Sequence, residues 1–359
     1  MTFEAENKYK AEIVSELFVH EGIRLPSTVT LSGSEGSVPE KEQMLRAAQH
    51  DGLQVVTAGD EWHYRNKMEY SFWGDDDGLH LALHLRGSHG KQIVQGSELA
   101  LPALDKAANA ILAELNKLHP RAGDLKTIIV RCSQKGEVVA ALYTKLDSFT
   151  KIVLPSEAKG LRVYRSNPKS PASVPTKLLY ELGDCTLQDD VLGKPFAYDV
   201  DSFFQVNLPV YDKALTRIKE YVQPEPVDMY AGVGSIGLSV GSRQLIELDP
   251  ATAAMARLNA QDSGAEVVEA STEKALEYIV SDKPVIFDPP RAGLHQKVVE
   301  RCLEVKPPQI IYLSCNPATQ ARDLALLQEK YTIDFFETYN FFPRTPHIET
   351  LAILKRKSR

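Results

Sequence analysis

From about residue 205 onward, short apolar runs alternate with helical patterns: "VDMY", "QLIEL", "PVIF" and "QIIYLS" are separated by stretches such as "DPATAAMARLNAQ" and "HQKVVERCLEV". Strands that are apolar on both faces need helices on both sides of a parallel sheet, so this region is predicted to be a doubly wound, Rossmann-like α/β domain. The end breaks the alternation. "YTIDFFETYNFFPRTPHIETLAIL" holds two strand-like runs with no helix between them, which predicts a terminal antiparallel pair.

The 359 residues exceed one ordinary core, and three segments are expected. Residues 1–60 carry two amphipathic helical patterns, "NKYKAEIVSELFVHEG" and "PEKEQMLRAAQHDG", around a Gly/Ser-rich stretch. Residues 61–200 mix alternating strands ("KMEYSFWG", "LHLALHLRG"), a helix ("LPALDKAANAILAELNKLH") and a hairpin ("LKTIIVRCSQKGEVVAALYTK"), as in a smaller α+β domain. Residues 201–359 contain the doubly wound sheet. No apolar run approaches the ~20 residues that span a bilayer, and the start, "MTFEAENKYKAEIVSELF", lacks the features of a secretory signal. A cytoplasmic monomer is expected. Cys132, Cys185, Cys302 and Cys315 lie far apart with no Cys-x-x-Cys pair, so neither a metal cluster nor a disulfide framework is expected. The net charge of -7 argues against indiscriminate binding to nucleic acid, so any RNA surface must be local.

Open parallel sheets bind ligands beyond the carboxyl ends of their strands. Four such ends carry marked residues. In "VDMYAGVGSIGL", Gly232, Gly234 and Gly237 form G-x-G-x-x-G, which lets backbone approach a ligand but also occurs for packing alone. In "QLIELDP", Glu247 stands where such folds hold ribose hydroxyls with an acid; its other reading is the start of a solvated loop. Glycines and acid together indicate a nucleoside cofactor without choosing between NAD and S-adenosylmethionine. In "PVIFDPPRAGLH", two prolines fix the backbone after Asp288. An Asp/Asn-Pro-Pro element at this place is used by methyltransferases that act on nucleobases, although Pro-Pro also forms plain turns.

The fourth end is "QIIYLSCNPATQARDL". Asn316 suits a helix N-cap and Pro317 the first helical position, so a helix is predicted directly after Cys315. Its thiol would then face the positive end of a helix dipole, an environment expected to favour the nucleophilic thiolate. In "HIETLAIL" a strand period of two would put His347 and Glu349 on one face, with Glu349 just before an apolar run. Desolvation there would raise its pKa and suit it to removing a proton.

"DSFFQVN", "YAGVGSIGL", "FDPPRAGLH", "YLSCNPATQARDL" and "FFPRTPHIETLAIL" closely resemble, in order, the motifs of the S-adenosylmethionine-dependent RNA (uracil-5-)methyltransferases, which modify tRNA and large-subunit rRNA. "YRNKMEYSFWG" adds a match near residue 64. The resemblance implies a methyltransferase sheet, structured RNA as partner, and a cofactor site of Gln205, Tyr230, Gly232, Gly234, Glu247 and Asp288. It also implies Cys315 as nucleophile, Glu349 as base, and Phe203 near the target base, where ordinary core is the alternative.

Arg65, Lys67, Arg86, His89 and Lys91, interleaved with aromatics, are the best local candidates for holding RNA; a solvated strand face is the other reading. Ala231 stands where the family often has Cys, and the segment from Gly237 to Glu247 is short, so the first helix is expected to lose a turn. Rival functions are an amino-group methyltransferase on adenine or cytosine, a non-catalytic RNA-binding protein on this scaffold, and a nicotinamide oxidoreductase.

Overall fold

The computed structural model describes residues 1–26, 53–85, 87, 88, 90–170 and 173–358. The second N-terminal helical pattern, Arg86 and His89 lie outside the described residues. The chain forms two compact units, one of residues 1–59, 191–194 and 207–359, the other of residues 60–190 and 195–206.

The first unit opens with α1 (Phe3–His20) and β1 (Val55–Val56). The second unit then builds β2 (Lys67–Asp75), β3 (Gly78–His84), β4 (Lys91–Ile93), α2 (Pro102–Asn116), β5 (Leu125–Cys132), β6 (Val138–Thr144), β7 (Gly160–Ser166) and β8 (Pro175–Gly183). A hairpin of β9 (Thr186–Val191) and β10 (Lys194–Asp199) follows. The chain returns to the first unit through α3 (Leu208–Tyr221), β11 (Val227–Asp228), α4 (Ser235–Ser239), β12 (Gln244–Glu247), α5 (Pro250–Ala260) and β13 (Glu266–Glu269). It closes with β14 (Val285–Phe287), α6 (Gln296–Val305), β15 (Gln309–Ser314), α7 (Pro317–Leu327), β16 (Tyr331–Tyr339) and β17 (Glu349–Arg356).

In the first unit the sheet order is β1-β16-β17-β15-β14-β11-β12-β13. Its pairs are parallel except β15 with β17 and β16 with β17, so the expected antiparallel pair does join a doubly wound sheet, with β1 added outside β16. Every residue of β15, "QIIYLS", is buried, as a run apolar on both faces requires. Val14, Phe18 and Ile23 from the α1 region join this unit's core, with the Phe18 ring 4.8 Å from that of Phe336 in an edge contact.

The second unit has a sheet in the order β4-β3-β2-β5-β6-β7-β8. One face packs on α2, whose Leu104, Ala107, Ala108, Ile111 and Leu115 are buried against Tyr70, Ile128, Val130 and Leu142. This is the small α+β domain expected from the middle of the sequence.

α4 is only five residues long, as the short Gly237–Glu247 segment implied. Its Gly237 lies hard against β11 and β12: a Cβ there would sit 2.5 Å from Leu245 Cδ2 and 2.9 Å from Asp228 Oδ2. Gly237→Ala therefore overpacks the foot of the glycine turn. It is expected to destabilise the first unit by about 1–3 kcal/mol in chemical denaturation followed by circular dichroism; an unchanged midpoint would show that this contact yields without cost.

Candidate active site

Adjacent strands of the first sheet leave side chains of consequence along one edge. Asp228, fully buried at the end of β11, accepts the Gly237 amide at 2.9 Å and the Tyr230 amide at 3.4 Å. Burial outweighs these bonds and pushes its carboxyl up to about 7. Gly232 and Gly234 adopt φ of +57° and +88°, left-handed values suited to glycine. The Gly232 amide donates to Glu247 Oε2 at 2.8 Å, and the Asp249 amide donates to Oε1 at 2.8 Å. Glu247 thus fastens the glycine turn from the neighbouring strand. Asn259 braces it from α5, donating to the Val233 carbonyl at 2.9 Å.

Beside this turn is a cavity of about 790 Å³ lined by Tyr230, Glu247, Leu248, Thr272, Pro290 and Leu294, among others. Leu248 is 65% exposed, an apolar wall facing open space. Thr272 is held in place by donating to the Met229 carbonyl at 2.6 Å. The cavity brings together Tyr230 and Glu247 of the expected cofactor residues; Gly232, Gly234 and Asp288 do not line it. Leu248, Thr272, Leu294 and Asp228 were missed from sequence. For Asp228 a signal was present, an acid inside the apolar "PVDMY" run.

Asp288 follows β14, and burial, then the charge of Asp228, pushes its carboxyl up to about 7. Glu349 begins β17 and is 3% exposed, with no hydrogen-bond partner for Oε2 among the described residues. Burial, then Asp288, holds its carboxyl well above the usual carboxylate range. Because Ser314 pairs with Thr350 in the antiparallel ladder, the next residues outward, Cys315 and Glu349, emerge on adjacent strands spaced about 4.8 Å apart.

α7 starts where the sequence placed it: Asn316 Oδ1 accepts the Ala318 amide at 3.3 Å and Pro317 occupies the first turn. Asn316 Nδ2 also donates to the Arg291 carbonyl at 2.9 Å, tying the Asp-Pro-Pro-Arg loop to the helix end. The inference drawn for the thiol needs correction. Burial first, then the charges of Glu349 and Asp288, push half-buried Cys315 up to about 11, with Arg291 acting the other way. In the free protein burial, the largest cause of the shift, outweighs the helix end, and the group is a thiol at neutral pH. Cys132, Cys185 and Cys302 are buried and also raised by burial.

His347 does not share a strand face with Glu349 as expected, because β17 begins only at Glu349. The His347 ring instead meets the Phe342 ring edge-on at 5.9 Å, with Arg291 Nη2 3.5 Å from its Nε2.

The remaining sequence candidates belong to the second unit. Gln205 is buried, its carbonyl accepting from Asn66 Nδ2 at 2.9 Å, whereas Phe203 is 61% exposed. Arg65 is half-buried, its backbone bridged to Ala100. Lys67, opposite Arg131 on β5, has its ammonium pushed down to about 8 by burial and then by that guanidinium, unlike a fully solvated cation. Among the described residues no group of three or more His, Cys, Asp or Glu is arranged to hold a metal, and no helix is long and apolar enough to cross a membrane.

Residues 254–357 match the family model described as tRNA (Uracil-5-)-methyltransferase. An RNA methyltransferase of Lactobacillus johnsonii is 30% identical over 354 residues, covering 88% of this chain and 78% of that protein. One of Clostridium tetani is 30% identical over 355 residues, covering 88% and 77%. Among solved structures, the Pyrococcus abyssi tRNA (uracil-54, C5)-methyltransferase in complex with S-adenosyl-L-homocysteine superposes with a TM-score of 0.74 at 22% identity, covering 99% of this chain and 84% of that one. At that identity the agreement is one of fold.

A thiol at about 11 has a thiolate fraction that grows about tenfold per pH unit through the neutral range. Alkylation of Cys315 by iodoacetamide in the free protein is expected to rise in that way from pH 7 to pH 9, read by peptide mass spectrometry. A plateau below pH 8 would mean that the helix end controls the thiol after all.

Proposed function

The chain belongs to the RNA (uracil-5-)methyltransferase family, and from that premise we propose that it transfers a methyl group from S-adenosylmethionine to carbon 5 of a uridine in tRNA through a transient bond to Cys315. The observation that carries this reading is the grouping of Cys315, Asp288 and Glu349 on one sheet edge, each thiol or carboxyl raised first by burial and then by a neighbouring acid. Such clustering suits a reaction that needs both a nucleophile and a base.

The cavity fits a nucleoside-bearing methyl donor. Leu248 and Leu294 offer apolar surface to a purine, and Glu247 offers a carboxylate to ribose hydroxyls beside the glycine turn. Ionised Asp228 and Asp288, whose carboxyls burial raises to about 7, would complement a sulfonium at the strand ends. S-adenosylmethionine supplies an electrophilic methyl group when bound; the protein must supply the means of activating the pyrimidine. Carbon 5 of uracil is too weak a nucleophile to react unaided. Cys315 Sγ, as thiolate, adds at carbon 6, and the displaced electron pair moves toward O4, making carbon 5 nucleophilic. After methylation Glu349 takes the carbon-5 proton, and the carbon–sulfur bond breaks to return the thiolate. A raised pKa makes Glu349 a stronger base once ionised, so turnover is expected to climb with pH as that carboxyl loses its proton.

Phe203, exposed in the second unit, is assigned to contact with the RNA, and Arg65 and Lys67 to its backbone. The target base must leave its stack to reach a thiol beyond a strand end. An amino-group methyltransferase would have no use for Cys315, which gives the discriminating experiment.

A tRNA transcript containing 5-fluorouridine, incubated with S-adenosylmethionine, is expected to give a denaturant-stable complex in gel electrophoresis, because fluorine cannot leave as a proton does. Cys315→Ala should abolish both adduct and 5-methyluridine formation; a variant that methylates at the parental rate ends the covalent reading. Glu349→Gln should slow turnover by about 10²–10⁴-fold while the methylated adduct persists on ordinary tRNA. Undiminished turnover would remove Glu349 as base.

A further inference from the structure

The second unit's sheet has two unlike faces. Ile128, Val130 and Cys132 of β5 enter the core against α2, so Thr127, Ile129 and Arg131 point the other way. On that other face stand Lys67 opposite Arg131, and Tyr143 beside Tyr164. The chain leaving β10, residues 199–206, bonds to this face instead of a helix.

The attachments are polar and numerous. Arg162 Nη1 donates to Asp199 Oδ2 at 2.7 Å and to Asp201 Oδ2 at 2.8 Å, while its Nε donates to Glu181 at 2.5 Å. Asp201 also accepts from Tyr164 at 2.5 Å and Tyr143 at 3.2 Å. Asp199 Oδ1 closes the turn itself, accepting the amides of Asp201 at 3.0 Å and Ser202 at 2.8 Å and the Ser202 hydroxyl at 2.8 Å. On one side of the turn Tyr198 stacks on Phe204 at 4.2 Å, with the Arg131 guanidinium 5.6 Å from the Tyr198 ring. On the other, the Asn66 amide donates to the Val206 carbonyl at 3.2 Å and Asn66 Nδ2 to the Gln205 carbonyl at 2.9 Å.

Within this bonded segment Phe203 alone is a large apolar side chain in solvent, at 61% exposed, while Phe204 is 2% exposed. Partly buried ion pairs add little net stability, because desolvation offsets attraction, but they specify one geometry where apolar contacts would accept several. A fixed aromatic binds with less ordering cost than a mobile one.

We propose that Arg162, acting through Asp199 and Asp201, is a positioning residue that holds Phe203 ready to stack on an unpaired base of the RNA. This rests on the RNA methyltransferase reading above. The arginine touches no substrate; its planar fork reaches three carboxylates, Asp199 and Asp201 through Nη1 and Glu181 through Nε, which a lysine cannot copy.

The test uses the full chain and an unmodified tRNA transcript. Hydrogen–deuterium exchange of residues 199–206 is compared among wild type, Arg162→Gln and Arg162→Lys, and transcript binding is measured for these, Phe203→Ala and the Arg162→Gln/Phe203→Ala double variant. Arg162→Gln is expected to speed exchange at Asp201 and Ser202 while β5 and β6 stay protected, with Arg162→Lys no better. Binding should weaken on the order of tenfold for Phe203→Ala, comparably for Arg162→Gln, and no further in the double variant. Effects that multiply, or unchanged exchange, overturn the proposal. If Arg162→Gln does not fold, Tyr164→Phe, which removes one hydroxyl from Asp201, is read by the same two measurements and the same criteria. A wild type that neither binds nor methylates the transcript refutes the function assigned to the chain, and exchange then decides the brace by itself.

Discussion

The site depends on one antiparallel pairing, that of β17 inserted between β15 and β16. It sets Glu349 next to Cys315, which a purely parallel sheet would not do, because the two residues approach the same edge from opposite chain directions. The buried amide of Gln320 locks the pairing. Its Nε2 donates to the carbonyls of Tyr312 at 2.8 Å and Thr350 at 3.3 Å, and its Oε1 accepts the Thr350 hydroxyl at 2.7 Å. One side chain of α7 thus bonds to both strands within three residues of Cys315. A slip of one residue would turn Glu349 to the opposite face of the sheet.

That geometry has an electrostatic consequence. Asp228, Asp288 and Glu349 converge on one edge, and each carboxyl is raised by burial and then by another acid of the site. The free protein therefore holds extra protons on these acids, and burial foremost keeps Cys315 a thiol. A bound cation would shift that balance toward the carboxylates.

Much of this was legible because strand ends are local features. The apolar runs, the cap at Asn316, the proline pair after Asp288 and the final antiparallel strands all follow from residues adjacent in sequence. The ionisation of Cys315 was not, since it is set first by burial and then by acids that sheet order brings to it, neither of which the residues around Asn316 reveal. The strand carrying Glu349 was legible but its start was not, because the phasing of "HIETLAIL" does not say where hydrogen bonding begins. Asp228 escaped notice since its role depends on Gly237 pressing against it, and the apolar cavity wall escaped because Leu248 and Leu294 sit in unrelated segments.

The pair Phe203 and Phe204 shows the same limit at the smallest scale. The two are chemically identical neighbours, and no propensity separates them. Their fates diverge because Tyr198 offers a ring to stack on one of them, while the turn closed by Asp199 faces the other outward. Arg162, far earlier in the chain, bonds both carboxylates of that turn. Sequence pattern identifies the aromatic pair; the Tyr198 ring and the bonds that Asp199 and Asp201 make, both set by tertiary placement, accompany the difference in exposure.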